Sequence, residues 1–301
     1  MWFLLSLAAL VCWSGSDLFS KIGCRAQDDR LSHLKMVVAV GFVMGLHCLY
    51  EVTLGGVSLT PRVLFSYLPV SLLYILSMAL GYLGLRYIEL SISSPICNSS
   101  GALVAILTIV TAGRAGISNW QLLGVALTCV GVILLGVVEY KENPISREAR
   151  QSPDYKYVFS VTALLLPLLY CVLDALGTFA DSLVLQRLDE SAANAAYEFT
   201  FFLTGLGCLL YVLAVKKEKF KLREEGPKYI GACFETVGQV AYIFALSDTA
   251  HVALSAPIIS SYCALSVLWS RVFLKEKLSG KHYLALIPVF LGILIMGACD
   301  V

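Results

Sequence analysis

The chain is short of charge. Asp, Glu, Lys and Arg make up only 14% of its 301 residues, against roughly a quarter in soluble domains. The formal net charge is +1, a field too weak for the polybasic surface that nucleic-acid binding requires. It also lacks organised cysteine: the 10 cysteines form no CxxC pair and no tight cluster. Most (Cys12, Cys48, Cys97, Cys129, Cys171, Cys208 and Cys263) lie inside apolar runs and read as small buried thiols, not as a disulfide framework or a zinc site. HExxH, GxSxG and P-loop signatures are missing, and His33, His47, His251 and His282 are far apart in sequence. No enzyme grouping, metal or cofactor is expected on these grounds.

What the chain has in abundance is apolar sequence. Hydrophobic residues make up 58% and the mean hydropathy is +0.79. Runs of about 20 residues, each enough to cross a hydrocarbon core of about 30 Å as a helix, fall near Trp2–Ile22, Leu34–Thr53, Val63–Arg86, Ser91–Ala112 and Trp120–Val138. Five more fall near Tyr157–Ser182, Ala192–Val215, Tyr229–Asp248, Val252–Leu274 and His282–Ala298. Lipid offers no partner to an unpaired backbone group, and the dyad alternation of a barrel is missing, so the spans must be helices. The first has no basic leader and no small-x-small cleavage site, and reads as a retained helix. The expected fold class is an all-α integral membrane protein with ten transmembrane helices.

The ten divide into two matching fives. Pro95 and Pro257 stand 162 residues apart, while Ser118 and Ser279, Gly131 and Gly292, and Gly136 and Gly297 each stand 161 apart. The polar stretch 139–156 (EYKENPISREARQSPDYK) is the natural linker between a first repeat, 1–138, and a second, 157–301. Five is odd, so two copies in one chain enter the membrane from opposite sides. Inverted five-helix repeats of this kind place a substrate between them near the midplane in many secondary transporters. Of the 22 Lys and Arg, 19 follow odd-numbered spans and 3 (Arg62, Arg114 and Arg187) follow even ones. The positive-inside rule then puts the odd loops, Lys216–Lys228 among them, in the cytoplasm and both termini outside.

With these features in hand, the chain resembles the EamA-type branch of the drug/metabolite transporter superfamily. The resemblance covers nearly the whole chain and is strongest over Ala250–Gly297, where a helix with an early proline, the turn LKEKLS and a glycine-rich last helix follow one another. The first half contributes Trp13, Gly15 and Lys21, then YLGLRYIELSISSP, then GVALTCVGVILLG. The resemblance implies ten helices in two inverted repeats that move small organic solutes by alternating access, in many members as exporters. Two departures stand out. The turn glutamate at Glu276 has no counterpart in the first repeat, where Thr111-Ala112-Gly113-Arg114-Ala115-Gly116 stands. Members are also commonly drawn with cytoplasmic termini, opposite to the loop charges.

An ionisable side chain at the bilayer centre costs roughly 2.5–3.5 kcal/mol, so each one calls for a partner or a watery cavity. Asp17 shares a helical face with Ser14 and Lys21, and Lys21 stands at i+4, where it can neutralise the acid. Trp13 precedes Asp17 by four residues, and Tyr170 precedes Asp174 by four at the matching place in the second half. Inverted symmetry would bring the two pairs face to face, and two carboxylates converging away from water suit proton exchange or an amino group. Asp181, a heptad after Asp174, is expected at the mouth. Glu235, Gln239 and Tyr242 form one stripe of the eighth span, and Asn98 and Ser261 flank the two early prolines. His47 and Glu51, like Asn194, Tyr197 and Glu198, read as interfacial.

The expected function is a secondary transporter, an exporter in its commonest form, for a small polar metabolite such as an amino acid or amine. It would sit multi-pass in the cell (inner) membrane. Trp13, Asp17, Asn98, Tyr170, Asp174, Glu235, Gln239, Tyr242 and Ser261 would line its site. Partners would be the substrate, the lipid bilayer and protons as a candidate coupling ion, with monomer and homodimer both open. The rivals are an intramembrane enzyme acting on a lipid or isoprenoid, and a sugar or nucleotide-sugar carrier, although the latter's anionic substrates need buried cations, and beyond Lys21 the basic residues lie in loops or at helix ends.

Overall fold

The computed structural model describes residues 1–24, 29–88, 90–113, 117–141, 161–275 and 279–298. Among them the chain is all helix, with no strand. The first half holds α1 (Trp2–Cys24), α2 (Ser32–Thr53), α3 (Pro61–Tyr87), α4 (Leu90–Asn98), α5 (Ser100–Ala112) and α6 (Asn119–Tyr140). The second holds α7 (Val161–Val184), α8 (Glu190–Leu210), α9 (Leu222–Leu246), α10 (Val252–Ser260), α11 (Tyr262–Phe273) and α12 (Gly280–Ala298). Most of the expected linker 139–156, and residues 276–278 of the expected charged turn, lie outside the described residues.

Local chemistry explains several of these boundaries. Thr60 caps α3 by accepting from the Val63 amide at 3.4 Å, and Pro61 follows in the first turn, where its missing N–H is no loss. Asp189 caps α8 through the Ala192 amide at 3.1 Å. Two differences from the sequence reading have physical causes. The stretch Lys216–Lys228, expected as loop, is helical from Leu222, because Glu225 and Lys228 pair one turn apart at 2.9 Å on the buried face of α9. The spans Ser91–Ala112 and Val252–Leu274 are each broken into two helices, α4–α5 and α10–α11. In both, a proline precedes the break by one turn, and a serine at the break takes the proline's own carbonyl. Ser99 Oγ donates to Pro95 O at 3.0 Å and Ser261 Oγ to Pro257 O at 2.7 Å.

Eight stretches of helix among the described residues are long and apolar enough to cross a membrane, counting α4–α5 and α10–α11 as one each. The shorter apolar stretches Asn119–Leu134 and Gly280–Met296 complete ten. Their outer faces carry exposed Phe65, Val110, Val237, Leu284 and Leu294, whereas serines, carboxylates and Gln239 are turned inward. That is the distribution a bilayer demands, and the protein is a multi-pass membrane protein.

The closest helix pairs all join one half to the other: α1 with α9, α6 with α12, α2 with α8, α3 with α7, α2 with α9, and α5 with α10. Lipid tails are as apolar as leucine, so such pairs are held by close backbone approach and polar contacts. Gly41 of α2 shows the first. A Cβ there would sit 2.8 Å from the Phe201 carbonyl and 3.0 Å from the Gly205 Cα of α8.

Polar contacts close one end of the bundle, where α1 and α3 finish and α2 and α9 begin. Asp29 lies 3.0 Å from Lys35 and 3.8 Å from Lys228, and its carbonyl accepts from Arg86 at 2.6 Å. Lys35 also reaches the Lys219 carbonyl at 3.2 Å. Asp29, Lys35, Glu225 and Lys228 are all buried, so removing one partner strands the others' charge. Lys228→Met is therefore expected to cost about 3–5 kcal/mol, read as a lower thermal midpoint in detergent. An unchanged midpoint would show that water already screens this network.

Candidate functional site

A cavity lies at the centre of the bundle, and both halves contribute to its wall. Four helices supply its polar lining. α1 brings Trp13, Ser16, Asp17 and Ser20, and α4 brings Ser93, Ser94 and Cys97. α7 brings Tyr170 and Asp174, and α9 brings Glu235 and Gln239. Tyr74, Tyr82, Tyr197 and Tyr262 complete a largely aromatic wall. A second chamber shares Trp13, Tyr170, Asp174 and Tyr262 with the first, and Val104, Ala256, Ile259 and Tyr242 also line it.

Serine hydroxyls hold each of the three acids. Asp17 Oδ2 accepts from Ser94 at 2.5 Å and from Ser266 at 2.8 Å. Asp174 Oδ2 accepts from Ser100 at 2.7 Å, and Glu235 Oε2 from Ser16 at 2.7 Å. The breaks in α4–α5 and α10–α11 explain the geometry, since they bring Ser94, Ser100 and Ser266 into line with acids on two other helices. Lys21 does not neutralise Asp17. Its fully buried ammonium donates to the Leu85 and Ile88 carbonyls at 2.5 and 2.6 Å. Those carbonyls end α3 with no partner in their own helix and carry the negative end of its dipole.

Four buried polar atoms on the cavity wall have no hydrogen-bond partner among the described residues: Trp13 Nε1, Ser20 Oγ, Tyr82 OH and Gln239 Nε2. Donors left unmade in a dry interior are costly. The four share one space, where they leave hydrogen-bonding capacity unused.

Of the expected site residues, Trp13, Asp17, Tyr170, Asp174, Glu235 and Gln239 line the main cavity. Asn98 and Tyr242 instead line the second chamber. Asn98 Nδ2 donates to the Ser94 carbonyl at 2.8 Å, which steadies the serine that holds Asp17. Tyr242 meets the Tyr74 hydroxyl and packs its ring 5.0 Å from Trp13. Ser261 lines neither chamber: its hydroxyl donates to the Pro257 and Ile258 carbonyls, both at 2.7 Å, and repairs the helix break.

Sequence reasoning passed over Ser16, Ser100 and Ser266 and misplaced two acids. Asp181, expected at the mouth, is fully buried and accepts from Tyr67 at 2.8 Å and Tyr74 at 3.4 Å. Glu198, expected at the interface, is fully buried and meets His47 Nδ1 at 2.9 Å. The signal available for both is the cost of an acid inside an apolar span.

A polytopic helical bundle built around a polar, acid-lined cavity is the architecture of a membrane carrier. The comparisons with known proteins agree. Residues 161–298, which run from α7 to α12, match the model of the EamA-like transporter family, part of the drug/metabolite transporter superfamily. Among solved structures, a crystal structure of a protein superposes over 98% of this chain and 98% of its own with a TM-score of 0.60. At 14% sequence identity that likeness is one of fold. No curated protein matches the chain.

The contrast between Ser261 and Gln239 is testable by stability alone. Ser261→Ala loses a hydroxyl that two carbonyls share and should cost about 1 kcal/mol, seen as a lower thermal midpoint in detergent. Gln239→Leu removes a donor without a partner and should leave the midpoint equal or higher. A Gln239→Leu protein as destabilised as Ser261→Ala would mean that the amide serves the fold.

Proposed function

We propose that this chain is a secondary transporter that moves a small polar organic metabolite, an amino acid or amine, out across the cell membrane by alternating access. Residues 1–138 and 157–301 act as inverted repeats, and the Lys/Arg-rich end faces the cytoplasm. Asp17 and Asp174 meet the charge of the substrate or exchange protons. Glu235 and Gln239 orient it, and Trp13 and Tyr170 form walls.

The observation that carries this reading is the shared construction of the cavity. Each half supplies one acid at a matching place, Asp17 and Asp174, and each acid is held by a serine from the broken helix pair α4–α5. The pairing of helices also maps onto itself when the halves are exchanged: α1 on α9 becomes α7 on α3, α5 on α10 becomes α11 on α4, and α2–α8 and α6–α12 map onto themselves. Ser99 and Ser261, which make the same bond to the same proline carbonyl, stand 162 residues apart, the separation of Pro95 and Pro257. A site between two such halves is reached from either side by small rocking of one half on the other.

The test starts with metabolite profiles of cells with and without the protein. The most changed solute is then loaded into proteoliposomes, and its flux is followed with and without a pH gradient. Flux should require a sealed bilayer, and Asp17→Asn or Asp174→Asn should each lower it at least about ten-fold, the equivalent of about 1.4 kcal/mol, in protein that still elutes as a folded species. Turnover of a lipid substrate in detergent would favour an intramembrane enzyme. Unchanged flux in both variants would remove these acids from the mechanism.

A further inference from the structure

The electrostatics of the cavity are one-sided. Asp17, Asp174 and Glu235 line the main chamber, and no Lys, Arg or His among the described residues does. The nearest buried cation by sequence, Lys21, spends its ammonium on two α3 carbonyls. In each acid the oxygen that accepts from serine is Oδ2 or Oε2, and no hydrogen bond within the described residues is made by the other. Three carboxyl groups thus keep an oxygen for a guest, inside a wall that includes six aromatic rings. Faces of Trp and Tyr attract cations, the more strongly away from water.

Resting on the transporter reading above, we infer that the substrate is an organic ammonium ion with no carboxylate of its own. Its charged head would occupy the chamber of Asp17, Asp174 and Glu235. Its apolar body would pass the rings shared between the chambers into the second one, beside Val104, Ala256 and Ile259. A free carboxylate or phosphate on the guest would be buried among three acids without a counter-charge, which is strongly unfavourable. The partnerless donors Trp13 Nε1, Tyr82 OH and Gln239 Nε2 suit a hydroxyl or carbonyl on the guest, or its accompanying water.

The experiment uses matched pairs that differ by one carboxylate: tyramine against tyrosine, and agmatine against arginine. Binding to the purified full chain in detergent is measured by titration calorimetry, and competition for flux is measured in proteoliposomes. In at least one pair the amine should bind ten-fold or more tightly than its parent amino acid, and Asp174→Asn or Glu235→Gln should erase that preference in protein that remains folded. An amino acid that binds as well as its amine overturns the inference and leaves the transporter reading standing. If no member of either pair binds, the inference also falls. The transporter reading then stands or falls on whether the solute found by metabolite profiling crosses a sealed bilayer.

Discussion

A carboxyl group removed from water must find hydrogen bonds or charge within the protein, and most of this structure follows from how three of them do so. Asp17, Asp174 and Glu235 are met by serine hydroxyls from other helices, not by a lysine or arginine. A hydroxyl satisfies one oxygen without cancelling the charge. The groups are therefore positioned and still able to bind. A salt bridge at the same place would fix them in a more stable but occupied state.

The rest of the bundle can be understood as support for that centre. The breaks at Ser99 and Ser261 turn helix ends and hydroxyls inward, at the cost of backbone bonds that the same two serines partly restore. Above and below, polar groups bind the halves together. On one side Asp181 joins Tyr67 and Tyr74 of α3 to α7. On the other, Asp29, Lys35, Glu225 and Lys228 join the ends of α1 and α2 to α9. Both sets link the first half to the second, so any motion that opens the cavity to one side must loosen one of them. Hydrogen bonds and buried ion pairs suit this role better than apolar packing, because water entering an opened end can take over their partners.

The sequence made some of this legible. Length and hydropathy located the spans, since crossing a bilayer fixes both. Asp17, Asp174 and Glu235 stood out because lipid makes an acid at a span centre expensive. Asp181 and Glu198 escaped because nearness to a span end looks interfacial in one dimension, whereas burial here is supplied by Tyr67 and His47 from the opposite half. Lys21 obeyed a tertiary rule over a local one: the open carbonyls at the end of α3 outcompeted the acid one turn back on its own helix. The serines were unreadable singly, because serine is common in membrane helices and mostly bonds its own backbone, as Ser261 does. Only the fold distinguishes Ser94 and Ser100 from it.

The central claim is that the middle of the bundle is a wet, acidic space. Cys97 lies on its wall and provides a native reporter. With the other nine of the 10 cysteines replaced, the protein in native membranes would be treated with small water-soluble thiol reagents of matched size and opposite charge. The account predicts that Cys97 is modified in the folded protein, and faster by the cationic reagent than by the anionic one. Modification by neither until the protein is unfolded, or equal rates for both charges, would contradict it.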